Sequence, residues 1–261
     1  MSDTSSDNNH AGRSLKVREI RAKSILSRSK VFPYVINPYV GCQHACSYCY
    51  ARFMKKFTGH REAWGLFVDV KINAPELLKK DIRGKKKAAV WISGVCDPYQ
   101  PLEEKYRLSR QCLGILALDD WPVVIQTRSP LVLRDVDILK EFENVEVGFS
   151  IATADDEMRK LFESGTSSIP DRISALEELH GMGIRTYAMI APLLPGAEGL
   201  IEHLAGAVDY VLVDRMNYHH AGAVYRKHRL QEYSTEAYFN RMGREIGSRC
   251  SRLGIKCRVV Y

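Results

Sequence analysis

The sequence predicts an α/β fold, a partial (β/α)6 TIM-like barrel with parallel strands. Short apolar runs alternate with helical patterns along most of the chain, which implies a parallel sheet with helical crossovers. About six such units are visible, fewer than a closed eightfold barrel needs. The polar, proline- and glycine-bearing turns follow the apolar runs, and that end of such a sheet is where ligands bind.

The elements follow in order. Residues 16–29 read as a weakly amphipathic or extended arm. Residues 31–40 alternate and read as a strand, kept near an edge by Pro33 and Pro38. Residues 45–57 form a short helix, and residues 66–72 a strand. Asn73 caps a helix that carries Pro75 in its first turn. From there strands at 88–93, 123–127, 145–152, 185–191 and 209–213 alternate with helices at 104–118, 131–141, 155–163, 170–182 and 200–204. A long helix at 235–253 stops at Gly254, and residues 256–260 supply a last strand.

The chain of 261 residues is 45% hydrophobic and 26% charged, enough for a large core. The expected division is a disordered polar and basic tail over 1–24 and one domain over 25–261. No apolar run is long enough for a membrane helix, and the first ten residues lack the apolar core of a secretory signal. Reduced cysteines without an export signal lead to a cytoplasmic location, and a monomer is expected. Net charge is +7. Between His220 and Tyr261 there are nine Lys/Arg against three Glu, and between Arg13 and Lys30 seven against one. Two basic ends suit a polyanionic partner such as nucleic acid, against the plainer reading of solvated charged faces.

The most informative feature is Cys42, Cys46 and Cys49, at Cys-x3-Cys-x2-Cys spacing in the run from Gly41 to Tyr50. Three thiolates can hold three irons of a cubane cluster and leave the fourth open to a substrate or cofactor. Zinc would want a fourth ligand, from His44 or His60, with no second Cys-x2-Cys pair in view. A ferredoxin-type cluster would need a fourth cysteine among Cys96, Cys112, Cys250 and Cys257, and a disulfide framework fits poorly with seven cysteines.

Further polar turns stand after the predicted strands: Cys96-Asp-Pro-Tyr-Gln-Pro-Leu-Glu103, Thr127-Arg-Ser129 with Arg134 and Asp135 beyond it, Ser150, and Pro192-Leu-Leu-Pro-Gly196. With the cysteine run, these motifs resemble the radical S-adenosylmethionine (SAM) superfamily, and within it the group related to spore photoproduct lyase, often labelled DNA repair photolyases. The resemblance spans residues 36–217. It implies a partial TIM barrel, a [4Fe–4S] cluster and SAM, whose C–S bond is split by one electron to release a 5′-deoxyadenosyl radical. By resemblance Cys42, Cys46 and Cys49 ligate the cluster. Tyr48 lies near the adenine, Ser93 and Asp97 meet the SAM amino group, and Arg128 holds its carboxylate. Ser150 touches ribose or carboxylate, and the loop containing Pro192 offers backbone groups to adenine.

Cys96 and Tyr99 are the candidate catalytic residues, as a hydrogen-atom donor and a one-electron relay. In the resembled group a cysteine of this turn donates hydrogen, and its place here falls near Gly94, two residues before Cys96. Tyr218, His219 and His220 are a further candidate contact after the sixth strand. The expected function is a lyase-like radical SAM enzyme that abstracts hydrogen from a substrate, with nucleic acid favoured. It would be served by a low-potential electron donor such as flavodoxin or ferredoxin. The alternatives are a radical SAM enzyme acting on a protein, peptide or small metabolite, and a non-catalytic iron–sulfur or zinc protein that binds nucleic acid.

Overall fold

The computed structural model describes residues 14–261. Its strands are β1 (Lys16–Ile20), β2 (Leu26–Arg28), β3 (Tyr34–Ile36), β4 (Tyr39–Val40), β5 (Phe67–Lys71), β6 (Val90–Ile92), β7 (Val123–Thr127), β8 (Val145–Ser150), β9 (Arg185–Ile190), β10 (Tyr210–Val213) and β11 (Lys256–Val259). The main sheet runs β2-β3-β6-β7-β8-β9-β10-β11. From β3 to β11 every pairing is parallel, and β2 lies antiparallel on the β3 edge. The sheet has two free ends, so the barrel is partial, as the alternation of strand and helix predicts. Seven strands are parallel, those of the six alternating units and β11, the last strand expected at 256–260.

Period-two alternation divides the strands between two faces. Ile36, Ile92, Ile125 and Val147 stand in register and are fully buried under the helices. The opposite, lumenal face carries larger polar and aromatic groups. There Tyr187 stacks on Tyr210 at 5.1 Å, and Tyr210 donates to Glu146 at 2.6 Å. Gly148 makes room for the Tyr187 ring, since a Cβ at that position would lie 2.1 Å from it.

Four sequence expectations change. The strand at 66–72 exists as β5 but lies outside the barrel, in a second sheet of order β1-β5-β4. With it, part of the expected tail is ordered: β1 runs parallel to β5 from Lys16↔Phe67 to Ile20↔Lys71. The boundary placed at residue 24 therefore cuts off a strand, while residues 1–13 lie outside the described residues. The helix expected at 104–118 is two, Leu102–Tyr106 and Leu108–Ala117, broken at Arg107 with φ +51°. The buried Glu103 carboxylate stabilises the break by accepting from the N–H groups of Ser109 and Arg110 that open the second helix. Asn73 precedes its helix without capping it, because its side-chain amide is engaged with both backbone groups of Ala22. No helix among the described residues is long and apolar enough to cross a membrane.

Candidate active site

The cysteine loop follows β4 at the C-terminal mouth of the parallel sheet. Gly41 enters it at φ +92°, against the Phe67 carbonyl of β5, and Ala45 turns it at φ +54°. Two hydrogen bonds, Ala45 N–H to Cys42 O and Cys49 N–H to Cys46 O, curl the chain so that the thiols share one loop. A pair of glutamines fastens this loop to the turn after β6. The Gln100 amide donates to Gly41 O and accepts from the Gln43 N–H, while the Gln43 side chain accepts from the Leu102 N–H. From the other side Gly165 presses on the carbonyls of Gln43 and His44, and Ser47 N–H donates to Phe162 O at 2.8 Å.

All three cysteines are free thiols, Cys42 and Cys46 buried and Cys49 half-buried. Burial pushes the Cys46 thiol up to about 12 and the Cys42 thiol well above its ordinary value, with Asp97 adding to the second. Among the described residues no three His, Cys, Asp or Glu side chains converge as ligands of a single ion must. A polynuclear cluster makes no such demand, since each thiolate takes a different iron. The surroundings fit such a group. The Arg128 guanidinium lies close enough to favour the thiolate of Cys46, and its Nε is buried without a hydrogen bond. The Trp64 indole N–H, also without an oxygen or nitrogen partner, lies beside the Cys49 sulfur.

The structure gathers Tyr48, Arg128 and Ser150 of the sequence candidates around this loop. Tyr48 is buried and donates its hydroxyl hydrogen to Glu163. The Arg128 guanidinium lies over the Tyr48 ring at 5.9 Å, with Nε 3.5 Å from Glu163. Ser150 ends β8, where its hydroxyl accepts from Gln126 at 2.8 Å. Pro192 is buried in the turn after β9, whose next residues Leu193 and Leu194 donate to Asp214 O and Ala152 O. Ser93 sits in the turn after β6 at φ +67°, its hydroxyl buried without a partner.

Three candidates are placed otherwise than the sequence suggested. Asp97 reaches the loop, but its carboxylate is fully engaged. It accepts from Tyr99 N–H, Thr127 Oγ1 at 2.6 Å and Arg128 N–H, with His44 Nε2 a further 3.2 Å away. Burial alone would raise it, yet His44, Thr127 and Arg128 hold it down at about 2. It is a staple between the turns after β6 and β7, each oxygen accepting from that scaffold. Tyr99 is wholly buried in the core, its hydroxyl near Asp135, so it touches neither thiol loop nor mouth. Cys96 points to the second sheet: its thiol donates to Tyr39 O at 3.4 Å and packs beside Tyr39, Val68 and Val70. Half-buried there, the thiol is pushed up to about 12 by desolvation.

Sequence reasoning missed Glu163 and Arg172. Arg172 is wholly buried, 2.7 Å from Glu163 Oε2, and it donates to Ser150 O at 2.9 Å and Ser167 O. Burial would raise Glu163, but Arg172 and Arg128 hold its carboxyl at about 2. A signal existed for the arginine: it falls on the buried stripe Ile169, Arg172, Ala175, Leu176, Leu179 of its helix, and a cation on such a stripe must have a partner. Glu163 carries no such signal, because it lies in a polar run beyond the end of a helix.

Fold and site together define an α/β partial-barrel protein with three free thiols on one loop at the strand ends. The model of the family described as Radical SAM superfamily matches residues 36–199, and the chain belongs to that superfamily. An uncharacterized protein of Methanocaldococcus jannaschii, MJ0683, is 40% identical over 184 residues, 69% of each chain. A protein of Pseudomonas phage M6 named radical SAM Nalpha-GlyT isomerase is 27% identical over 61% of this chain and 33% of its own. Among solved structures, spore photoproduct lyase complexed with dinucleoside spore photoproduct superposes with a TM-score of 0.71 at 15% identity. That match covers 94% of this chain and 82% of the other, and shows the shared fold.

Proposed function

We propose that the chain is an enzyme in which Cys42, Cys46 and Cys49 hold a [4Fe–4S] cluster and SAM is cleaved reductively to abstract hydrogen from a nucleic-acid substrate. The observation that carries the reading is the loop itself: three free thiols, clamped on both flanks, at the mouth of a parallel barrel in a chain of this superfamily. When bound, the cluster supplies the electron that splits a C–S bond of SAM and leaves the open iron that binds it.

The chain's own residues do the positioning. Gln43 and Gln100 fix the loop's path, and Gly165 closes the other side. Arg128 is held over the Tyr48 ring, with Nε facing Glu163 but making no hydrogen bond, and its guanidinium is the group suited to a carboxylate. Ser93 offers an unpaired hydroxyl to the amino group in place of Asp97. Ala152, Leu194 and Met216 line the apolar wall behind Cys46 and Tyr48, which keeps water from a reactive carbon. The nucleic-acid substrate rests on the likeness to a lyase complexed with a dinucleoside photoproduct together with the basic segments of the chain, and electrons would come from a low-potential donor such as flavodoxin or ferredoxin.

The test is anaerobic reconstitution with iron and sulfide, then SAM and dithionite, with 5′-deoxyadenosine as the product measured. Wild type is expected to form it, and Cys46→Ala to lose both the brown cluster absorbance and at least a hundredfold in rate. An intact cluster that leaves SAM whole, or a Cys46→Ala protein with full activity, defeats the reading.

A further inference from the structure

Two exposed segments meet at the barrel mouth, and neither contains a carboxylate. One is residues 49–60, which leaves the cysteine loop through the 3-10 helix Tyr50–Phe57. The other is residues 215–229, which follows β10 and includes the helix Gly222–Lys227. Their junction is aromatic. Tyr218 stacks with Tyr50 at 6.2 Å and 24°, and with His220 at 5.8 Å and 4°, so three rings from two segments form one nearly parallel array. The array is open to solvent: Tyr50 is 41% and Tyr218 51% exposed, and His220 is exposed as well. Tyr50 is anchored at its inner end, where its hydroxyl donates to Gly94 O in the turn after β6. One turn along the same 3-10 face stands another exposed ring, Phe53.

Exposed rings held face to face, with nothing among the described residues laid over them, mark a binding surface. Charge decides for what. Lys55 and Lys56 on one segment and Arg226, Lys227 and Arg229 on the other make no ion pair among the described residues, unlike Arg215 of the second segment, which pairs with Glu236. Flat rings among unpaired cations match a chain of planar bases linked by phosphates: the rings take the bases in stacking and the cations take the backbone. A peptide would bring no parallel planes to such an array, and an acidic one would use the cations alone.

We infer that the Tyr50–Tyr218–His220 array is a stacking platform for the bases of single-stranded or locally opened nucleic acid, laid across the mouth beside the cysteine loop. This rests on the proposed nucleic-acid substrate and names how that substrate is held. Stacking would favour an unpaired strand, since bases inside a duplex have no free faces to offer.

The experiment is fluorescence anisotropy of the full-length protein with a fluorescein-labelled single strand of about 12 nucleotides. An abasic strand of the same length and poly-L-glutamate serve as competitors. Wild type is expected to bind the base-bearing strand about tenfold or more tighter than the abasic one. Tyr218→Ala and His220→Ala should each lose about that factor on the base-bearing strand and little on the abasic one, while Tyr218→Trp, which keeps a ring, should retain tight binding. Equal affinity for the two strands, unchanged binding by Tyr218→Ala, or displacement by poly-L-glutamate as effective as by the base-bearing strand overturns the inference. SAM cleavage by wild type is read separately. Base-dependent binding without cleavage would sink the enzymatic reading and leave the platform standing, and cleavage without base-dependent binding would do the reverse.

Discussion

Glu163 is a carboxylate 1% exposed and held among Arg172, Arg128 and the Tyr48 hydroxyl. Such a group contributes through its partners, because removing one charge of a buried pair strands the other. Glu163→Gln is therefore expected to lower stability by about 3–5 kcal/mol, and pairing it with Arg172→Met to recover much of the loss. A double variant no more stable than Glu163→Gln would show that the arginine is not stranded. The pH dependence has a definite sign. Glu163 falls from 4.5 to about 2 on folding and Asp97 from 3.8 to about 2. The folded state binds fewer protons, so this stability is complete above the unfolded values and is lost as pH falls through the folded ones. The melting temperature of wild type should hold down to about pH 5 and fall between there and about 2, whereas Glu163→Gln should start lower and fall less steeply. Parallel curves would contradict the assignment. At this scale spacing made the three cysteines legible, since all are supplied by one loop. It does not show that the Asp97 carboxylate accepts from the turns after β6 and β7, or that the Tyr99 ring lies in the core.

Elements were legible where their signals are local. The helices expected at 155–163, 170–182 and 235–253 are found at Asp156–Phe162, Ile169–Gly181 and Glu236–Arg252, where the structure adds caps from Asp155, Ser168 and Thr235. The break at Arg107 was not legible, since the carboxylate that caps the second helix comes from the first. Nor was the clamp on the cysteine loop, whose two jaws come from the turn after β6 and from the 163–168 loop. Gly165 is a tight point of it: a Cβ there would stand 2.6 Å from Gln43 O and 3.0 Å from His44 O. Two consecutive backbone carbonyls cannot rotate away as a side chain would. Gly165→Ala is expected to cost about 1–3 kcal/mol and to reduce iron uptake on reconstitution. Gly181→Ala, at a helix end with nothing within 4 Å of the added methyl, is expected to be neutral or slightly stabilising. Thermal melts and iron assays of the two variants side by side check this, and equal behaviour would remove Gly165 from the clamp.

For the molecule as a whole, the parallel barrel was readable because each unit repeats the same apolar strand, turn and helix. The second sheet was not, because β1 carries Lys16, Arg18 and Glu19 within five residues and borrows its partner from fifty residues away. Its position matters to the site. β5 lies directly behind Gly41, and β1 covers the outer edge of β5. Arg18 grips Asp69 of β5 with two hydrogen bonds at 2.7 and 2.8 Å, and also donates to Thr58 O, just past the 3-10 helix that leaves the cysteine loop. The arm thus ties the floor of the loop to its exit. A chain beginning at Ile25 would lose the five-residue β1 ladder, leave the β5 edge bare and deprive Asp69 of its guanidinium, with only His60 remaining at 2.8 Å. Such a chain is expected to melt lower than the full-length protein and to take up less iron. Arg18→Lys should fall between the two, since an ammonium keeps the charge but not the fork. If the shortened chain matched the full-length protein in melting temperature and iron content, residues 14–24 would be an appendage and the boundary drawn from composition would stand.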